Sequence, residues 1–194
     1  MALAALLSSF ALLAAGPAGL QLAQADAPPA SSEAPVATTN VTPDVQANAD
    51  AVARGEEPFP AGAPTDDYGF MAWCYGALSG HLALYDKALP EVRRIEAEFP
   101  EPGRTIDQVM DDYTAQHLAG ESSLEAYSRA LDVEEESGKT HGRKRAAAVA
   151  KGLEVWNGSD TSDPRALAQA WMSWGLPGRC ERTAARITLR ASSR

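Results

Sequence analysis

An all-α fold, a compact bundle of four to six helices clipped by one disulfide, is what the pattern of this 194-residue chain points to. From Tyr68 onward apolar residues recur at spacings of three and four. Strand-type alternation is nearly absent, and capping residues with Gly/Pro breaks punctuate the periodic runs.

The first 25 residues read as a signal peptide. Leu3 to Ala15 is an uncharged apolar run, and Ala23-Gln24-Ala25 gives the small-x-small pattern a signal peptidase cleaves, although no Lys or Arg precedes the run. Residues 26–64 hold seven of the thirteen prolines and a single aromatic, Phe59, so they read as a disordered Pro/Ala-rich tether. Residues 65–194 are then the helical bundle domain, a length that closes one core.

Within that domain Asp66 and Asp67 supply the N-cap and first-turn acid of the first helix. Tyr68, Met71, Tyr75, Leu78, Leu82, Tyr85 and Leu89 form one stripe, and Phe70, Cys74, Ala77, His81 and Leu84 form a second. Ala72, Gly76, Gly80 and Ala83 add a face of small residues that admits a neighbouring helix closely, so this helix is central. Pro90 marks a break or the first turn of a short continuation through Val92, Ile95 and Phe99. Thr105 and Gln108 form a capping box opening one long helix, striped by Ile106, Met110, Tyr113, His117, Gly120, Leu124, Tyr127 and Leu131 and stopped at Gly138, with Ser122 and Glu125 as the alternative caps of a separate second piece. A further helix faces inward through Ala146, Val149, Leu153 and Trp156. Ser162 or Asp163 before Pro164 starts the next, with Leu167, Trp171 and Trp174 inward, and a last one carries Cys180, Ala184, Ile187 and Ala191. Short connections imply mostly antiparallel neighbours. Tyr68 to Tyr85 is free of formal charge, but its glycines, Ser79 and His81 make it a poor membrane span, and none is expected in the mature chain.

Composition excludes several classes of function. A net charge of −9 argues against nucleic acid as a partner. Two cysteines, Cys74 and Cys180, form neither a four-thiolate zinc site nor a C-x-x-C motif, and in an oxidising compartment they read as a disulfide. Gly138-Lys139-Thr140 resembles the end of a phosphate loop, yet Val133 stands where the earlier glycine belongs. No nucleophile elbow, H-E-x-x-H or dinucleotide fingerprint occurs, so no catalytic residue is assigned and no cofactor is implied.

Residues 65–138 carry a net −11 and residues 139–194 a net +7, which favours docking of the two halves. Arg179, Arg182, Arg186 and Arg190 align on one side of the last helix and are the candidate grip for an acidic protein or an anionic envelope component. His81 and His117 are the candidate ligands of a metal or haem, should their helices run antiparallel.

The block Phe70-Met71-Ala72-Trp73-Cys74-Tyr75-Gly76-Ala77-Leu78-Ser79-Gly80-His81-Leu82-Ala83-Leu84-Tyr85, within residues 68–99, resembles a segment of uncharacterised small exported helical proteins of alphaproteobacteria. That resemblance implies export and helicity and carries over no functional residue. The expectation is therefore a periplasmic or secreted, non-catalytic binding module of the immunity, inhibitor or envelope-adaptor type. The alternatives are a carrier of a small ligand, metal or haem built on Tyr75, Tyr85, Tyr113, Trp156, Trp171 and Trp174, or an envelope hydrolase using carboxylates such as Glu91 and Asp111.

Overall fold

A computed structural model describes residues 42–137, 142–159 and 162–193. The expected signal peptide, residues 26–41 of the expected tether and the Gly138 stop lie outside the described residues. Seven α-helices stand among the described residues, which contain no strand: α1 (Pro43–Ala53), α2 (Asp67–Ala83), α3 (Tyr85–Glu98), α4 (Ile106–Glu136), α5 (Gly142–Leu153), α6 (Pro164–Ser173) and α7 (Arg179–Ser192). A single 3₁₀ turn, Glu154–Trp156, extends α5.

Local chemistry sets most boundaries. The Asp66 carboxylate accepts from the Gly69 N–H at 2.9 Å and opens α2. Thr105 and Gln108 exchange both bonds of a capping box, and α4 runs unbroken through Gly120 to Glu136. Asp163 accepts from the Arg165 and Ala166 N–H groups, with Pro164 in the first turn of α6, where its missing N–H is not needed.

Helix α2 is the hub, packing against α4, α5, α7 and the start of α3. Eleven of its seventeen residues are buried, as its three apolar or small faces require. Its tightest neighbour is α5. A Cβ on Gly76 would sit inside the Val149 carbonyl and 3.0 Å from Val149 Cα, and one on Gly152 would sit 2.7 Å from the Ala77 nitrogen. The two backbones therefore touch, which offsets the roughly 1 kcal/mol each glycine costs a helix relative to alanine. One turn on, Gly80 seats the Trp156 ring, whose Nε1–H donates to the Ala77 carbonyl at 2.8 Å.

Cys74, in the middle of α2, and Cys180, in the first turn of α7, are both fully buried and joined as a disulfide with Cα atoms 5.9 Å apart. A loop of this length, spanning a separation of 106 residues, gives a loop-closure stabilisation on the order of 4 to 5 kcal/mol. A second, smaller core forms where α3 meets α6 and α4, around Ala88, Val92, Met110, Ala168 and Trp171. Ion pairs join the acidic and basic halves: Arg145 with Asp132 (2.7 Å) and Glu135 (3.3 Å), Arg165 with Glu98 (3.1 Å), and Arg186 with Asp67 (2.7 Å). No helix among the described residues is long and apolar enough to cross a membrane.

Three expectations change. From residue 42 the tether is ordered: α1 buries Ala51, and the stretch after it buries Ala63 and sets Phe59 edge-on against Phe70 at 5.0 Å. Its prolines do not oppose this, since Pro43 begins α1 and Pro58, Pro60 and Pro64 fall in non-helical backbone. The break after α2 falls at Leu84 rather than Pro90, which lies on the exposed side of α3. This earlier turn lets α3 leave α2 and pack on α6. On α5 the inward residues are Ala148 and Gly152, while Leu153, expected inside, is 42% exposed.

Gly76→Ala forces a methyl group into the Val149 backbone, and urea unfolding is expected to show a loss of about 3 kcal/mol. At Gly120 an added Cβ meets only the flexible Leu82 Cδ2 at 2.9 Å, so Gly120→Ala in the same assay leaves stability unchanged or raises it by up to about 1 kcal/mol.

Candidate functional site

The four arginines share one edge of α7 and pair with acids contributed by residues 56–67, Arg179 from a buried position and the other three from exposed ones. Arg179 is only 4% exposed. Its guanidinium donates to the Glu56 carboxylate at 2.6 Å and to the Glu57 carbonyl at 2.7 Å, and it lies 3.9 Å over the Phe59 ring. Burial pulls its pKa below the usual arginine value, and Glu56 opposes that pull. Arg186 forks onto Asp67 at 2.7 and 3.1 Å, and Arg190 joins the same carboxylate. Burial pushes the Asp67 carboxyl up, but these two arginines outweigh it and hold the group below its ordinary value. Only Arg182 is loosely held, 3.6 Å from Glu57. These pairings fasten the 56–67 stretch to the bundle, while the side chains of Arg182, Arg186 and Arg190, proposed from the sequence as a grip for a partner, stay about half exposed. The spacing of the arginines was legible in the sequence. The docking of Glu56 and Glu57, 123 and 122 residues before Arg179, had no local signal.

Three of the six aromatics assigned to a ligand site pack on His81, Tyr85 and Tyr113 join them through Trp171, and Tyr75 packs on the larger core instead. The His81 ring stacks on Trp171 at 4.6 Å and Trp174 at 4.7 Å, with Trp156 at 5.4 Å. His117 stacks on Tyr85 at 4.0 Å, and both Tyr85 and Tyr113 reach Trp171. Trp171 also donates its Nε1–H to the His81 carbonyl at 3.0 Å. Among the described residues no three His, Cys, Asp or Glu side chains are grouped to hold a metal, so His81 and His117 gain no further donor. Burial, with a smaller contribution from His117, pushes the His81 pKa down to about 4. The carboxylates of the hydrolase alternative are not paired either: Glu91 is bonded to Arg94 at 2.8 Å, and Asp111 lies exposed on α4.

A different place has the form of a binding site. Between α4 and α7 runs a groove of about 750 Å³, within the size range of ligand pockets. Its walls carry Ala126, Val133, Ala184, Ala185 and Leu189, the last 70% exposed. Tyr127 also lines it, and although this residue is only 1% exposed, its hydroxyl has no hydrogen-bond partner among the described residues. A buried hydroxyl without a partner costs about 1 to 3 kcal/mol. Burial, together with the Glu181 carboxylate that also lines the groove, pushes the phenol pKa up to about 12. In the sequence Tyr127 belongs to the inward stripe of α4 and reads as core. The available signal was the run of small residues around it, Ser122, Ser123 and Ala126, matched by Ala184 and Ala185 on α7. The chain matches no protein-family model, no curated protein and no solved structure.

Arg179→Met keeps the apolar stem but strands Glu56, and thermal or urea unfolding is expected to show a loss of about 3 kcal/mol, with earlier proteolysis near residues 54–62. Arg182→Ala is expected to change stability by less than about 0.5 kcal/mol.

His81 predicts acid sensitivity of defined sign. Between its ordinary value of 6.5 and about 4 the unfolded chain binds a proton that the folded chain does not. Stability is therefore lost as pH falls from 6.5 towards 4, with no further His81 contribution below that. The urea midpoint followed from pH 7 to 4 should decline, and His81→Phe should flatten the decline.

Proposed function

We propose that the protein is an exported, non-catalytic binding module that takes its ligand in the α4–α7 groove. The α4–α7 groove itself carries this reading, because a concave, mostly apolar surface with Leu189 70% exposed on its wall is the usual form of a binding site. The leader-like residues 1–25 and the buried Cys74–Cys180 bridge support export, since disulfides persist in oxidising compartments. The acids already paired with the arginine edge favour the other, more apolar edge of α7 as the binding surface.

Protein recovered from its own cell envelope should show a mass beginning at Asp26 with both thiols oxidised. Hydrogen exchange of the purified, ligand-free protein, repeated after adding an envelope extract, should show new protection over residues 122–133 and 181–189 and none over the arginine edge. Protection confined to Arg179–Arg190 contacts with residues 56–67, or a mass retaining residues 1–25, would overturn the reading.

A further inference from the structure

The arginine edge carries a second inference, independent of the groove: the chain's own Glu56 to Phe59 sits there as a bound peptide would. The Arg179 guanidinium holds the Glu56 carboxylate at 2.6 Å and the Glu57 carbonyl at 2.7 Å, and it lies 3.9 Å over the Phe59 ring. That ring stands edge-on to Phe70 at 5.0 Å, and Arg182 reaches the Glu57 carboxylate at 3.6 Å. Two adjacent acids and an aromatic two positions further on are therefore the chemistry this site recognises.

The receiving side is fixed. Arg179 adjoins Cys180, which the bridge ties to Cys74, and Phe70 lies one turn before Cys74 on α2. The occupying side is attached differently. Within it the Glu56 N–H donates to the Ala51 carbonyl at 2.9 Å and the Phe59 N–H to Asn48 Oδ1 at 2.7 Å, so residues 43–59 are bonded into a unit of their own. That unit buries one residue of α1, Ala51, and leaves Val45 and Val52 exposed. It joins the bundle through the turn Pro60–Ala63, closed by the Ala63 N–H on the Pro60 carbonyl at 3.0 Å, in which Gly62 takes φ +77° with open space around it. Gly62 is thus the place where the unit can turn without distorting α1 or α2.

The seat is also incompletely filled. A cavity of about 360 Å³ opens beside the stretch, between α1 and α7, with Arg54, Thr65 and Arg186 as well as Asp50 and Asp67 in its wall. Arg186 and Arg190 share the one Asp67 carboxylate, and these two side chains and that of Arg182 stay about half exposed. An occupant on a short tether needs no better fit than this, because short flexible linkers give it an effective concentration on the order of millimolar.

We propose that this site recognises a partner protein's segment carrying two adjacent acids and an aromatic two positions on, and that residues 56–59 are an autoinhibitory strap that occupies it in the resting protein. Strap and partner segment compete for Arg179, so the edge is closed to partners until the strap lifts about Gly62. This closure accords with the absence of new protection there expected when envelope extract is added.

The test is a fluorescence-anisotropy titration of the full oxidised chain with a labelled peptide of residues 55–62. The strap variant Glu56→Gln/Glu57→Gln/Phe59→Leu should bind it at least about tenfold more tightly than the unaltered protein, whose own strap competes. Phe59→Leu alone, which keeps an apolar cover over Phe70, should gain about threefold and serves if the triple variant melts without cooperativity. A peptide with both acids changed to Gln should lose about tenfold against the strap variant. Adding Arg182→Ala, which spares the fold, should weaken the acidic peptide about threefold. Equal binding by the unaltered protein and both strap variants, no binding by a strap variant that melts cooperatively, or a Gln-substituted peptide binding as tightly as the acidic one would overturn the proposal. A dimer of the unaltered protein in sedimentation at the same concentrations would make the segment a second copy's, and the partner assignment then falls.

Discussion

Backbone contact between α2 and α5 at Gly76 and Gly152 governs the rest of the arrangement. With no side chain on either residue, the Val149 carbonyl comes within van der Waals reach of α2, and α5 lies closer than ordinary packed helices do. That closeness fixes where the 3₁₀ turn after α5 points, and so carries Trp156 over Gly80 to the Ala77 carbonyl. Trp156 in turn borders Trp174 and His81, so the aromatic cluster at the far end of α2 inherits its position from the glycine crossing. The other side of α2 is then free to face α7, to which Cys74 is bonded.

The last helix is held on three counts: covalently at Cys180, by Ile187 in the core, and by arginines whose acids are Glu56 and Glu57 before α2 and Asp67 at its start. Each fixes a different aspect of its placement, its depth, its rotation or its lateral position. The edge left over forms one wall of the groove, and α4, a single helix anchored by its capping box and by Tyr127 and Leu131, forms the other. A groove with both walls fixed loses little conformational freedom when filled, which favours affinity over adaptability.

Much of this was legible in the chain, and the parts that were not share a physical cause. The capping box at Thr105, the unbroken stripe of α4, the Asp163-Pro164 start and the small face of α2 are local statements, and each holds in three dimensions. Partner choice is not local. The spacing of Arg179, Arg182, Arg186 and Arg190 defines an edge but does not say which acids meet it, and two of those acids, Glu56 and Glu57, lie in a proline-rich stretch that composition marks as unfolded. Gly152 and Leu153 differ by one position, so the face α5 presents turns on how closely α2 admits it, which is a property of Gly76. Small residues read the same in sequence whether they let helices touch, as at Gly76, or hold them apart around a groove, as at Ala126 and Ala185.

The hub position of α2 also has a consequence in time. This helix is apolar or small on nearly every side, yet the cysteine that closes over it is 106 residues further along. At a synthesis rate of about 5 to 20 residues per second, α2 is complete on the order of 5 to 20 seconds before α7 exists to cover it. Throughout that interval its Phe70, Met71, Trp73 and Leu78 have only part of their native surroundings. A nascent chain of this topology is sticky for longer than one built from sequential hairpins. It places a demand on whatever escorts the growing polypeptide that the finished fold no longer shows.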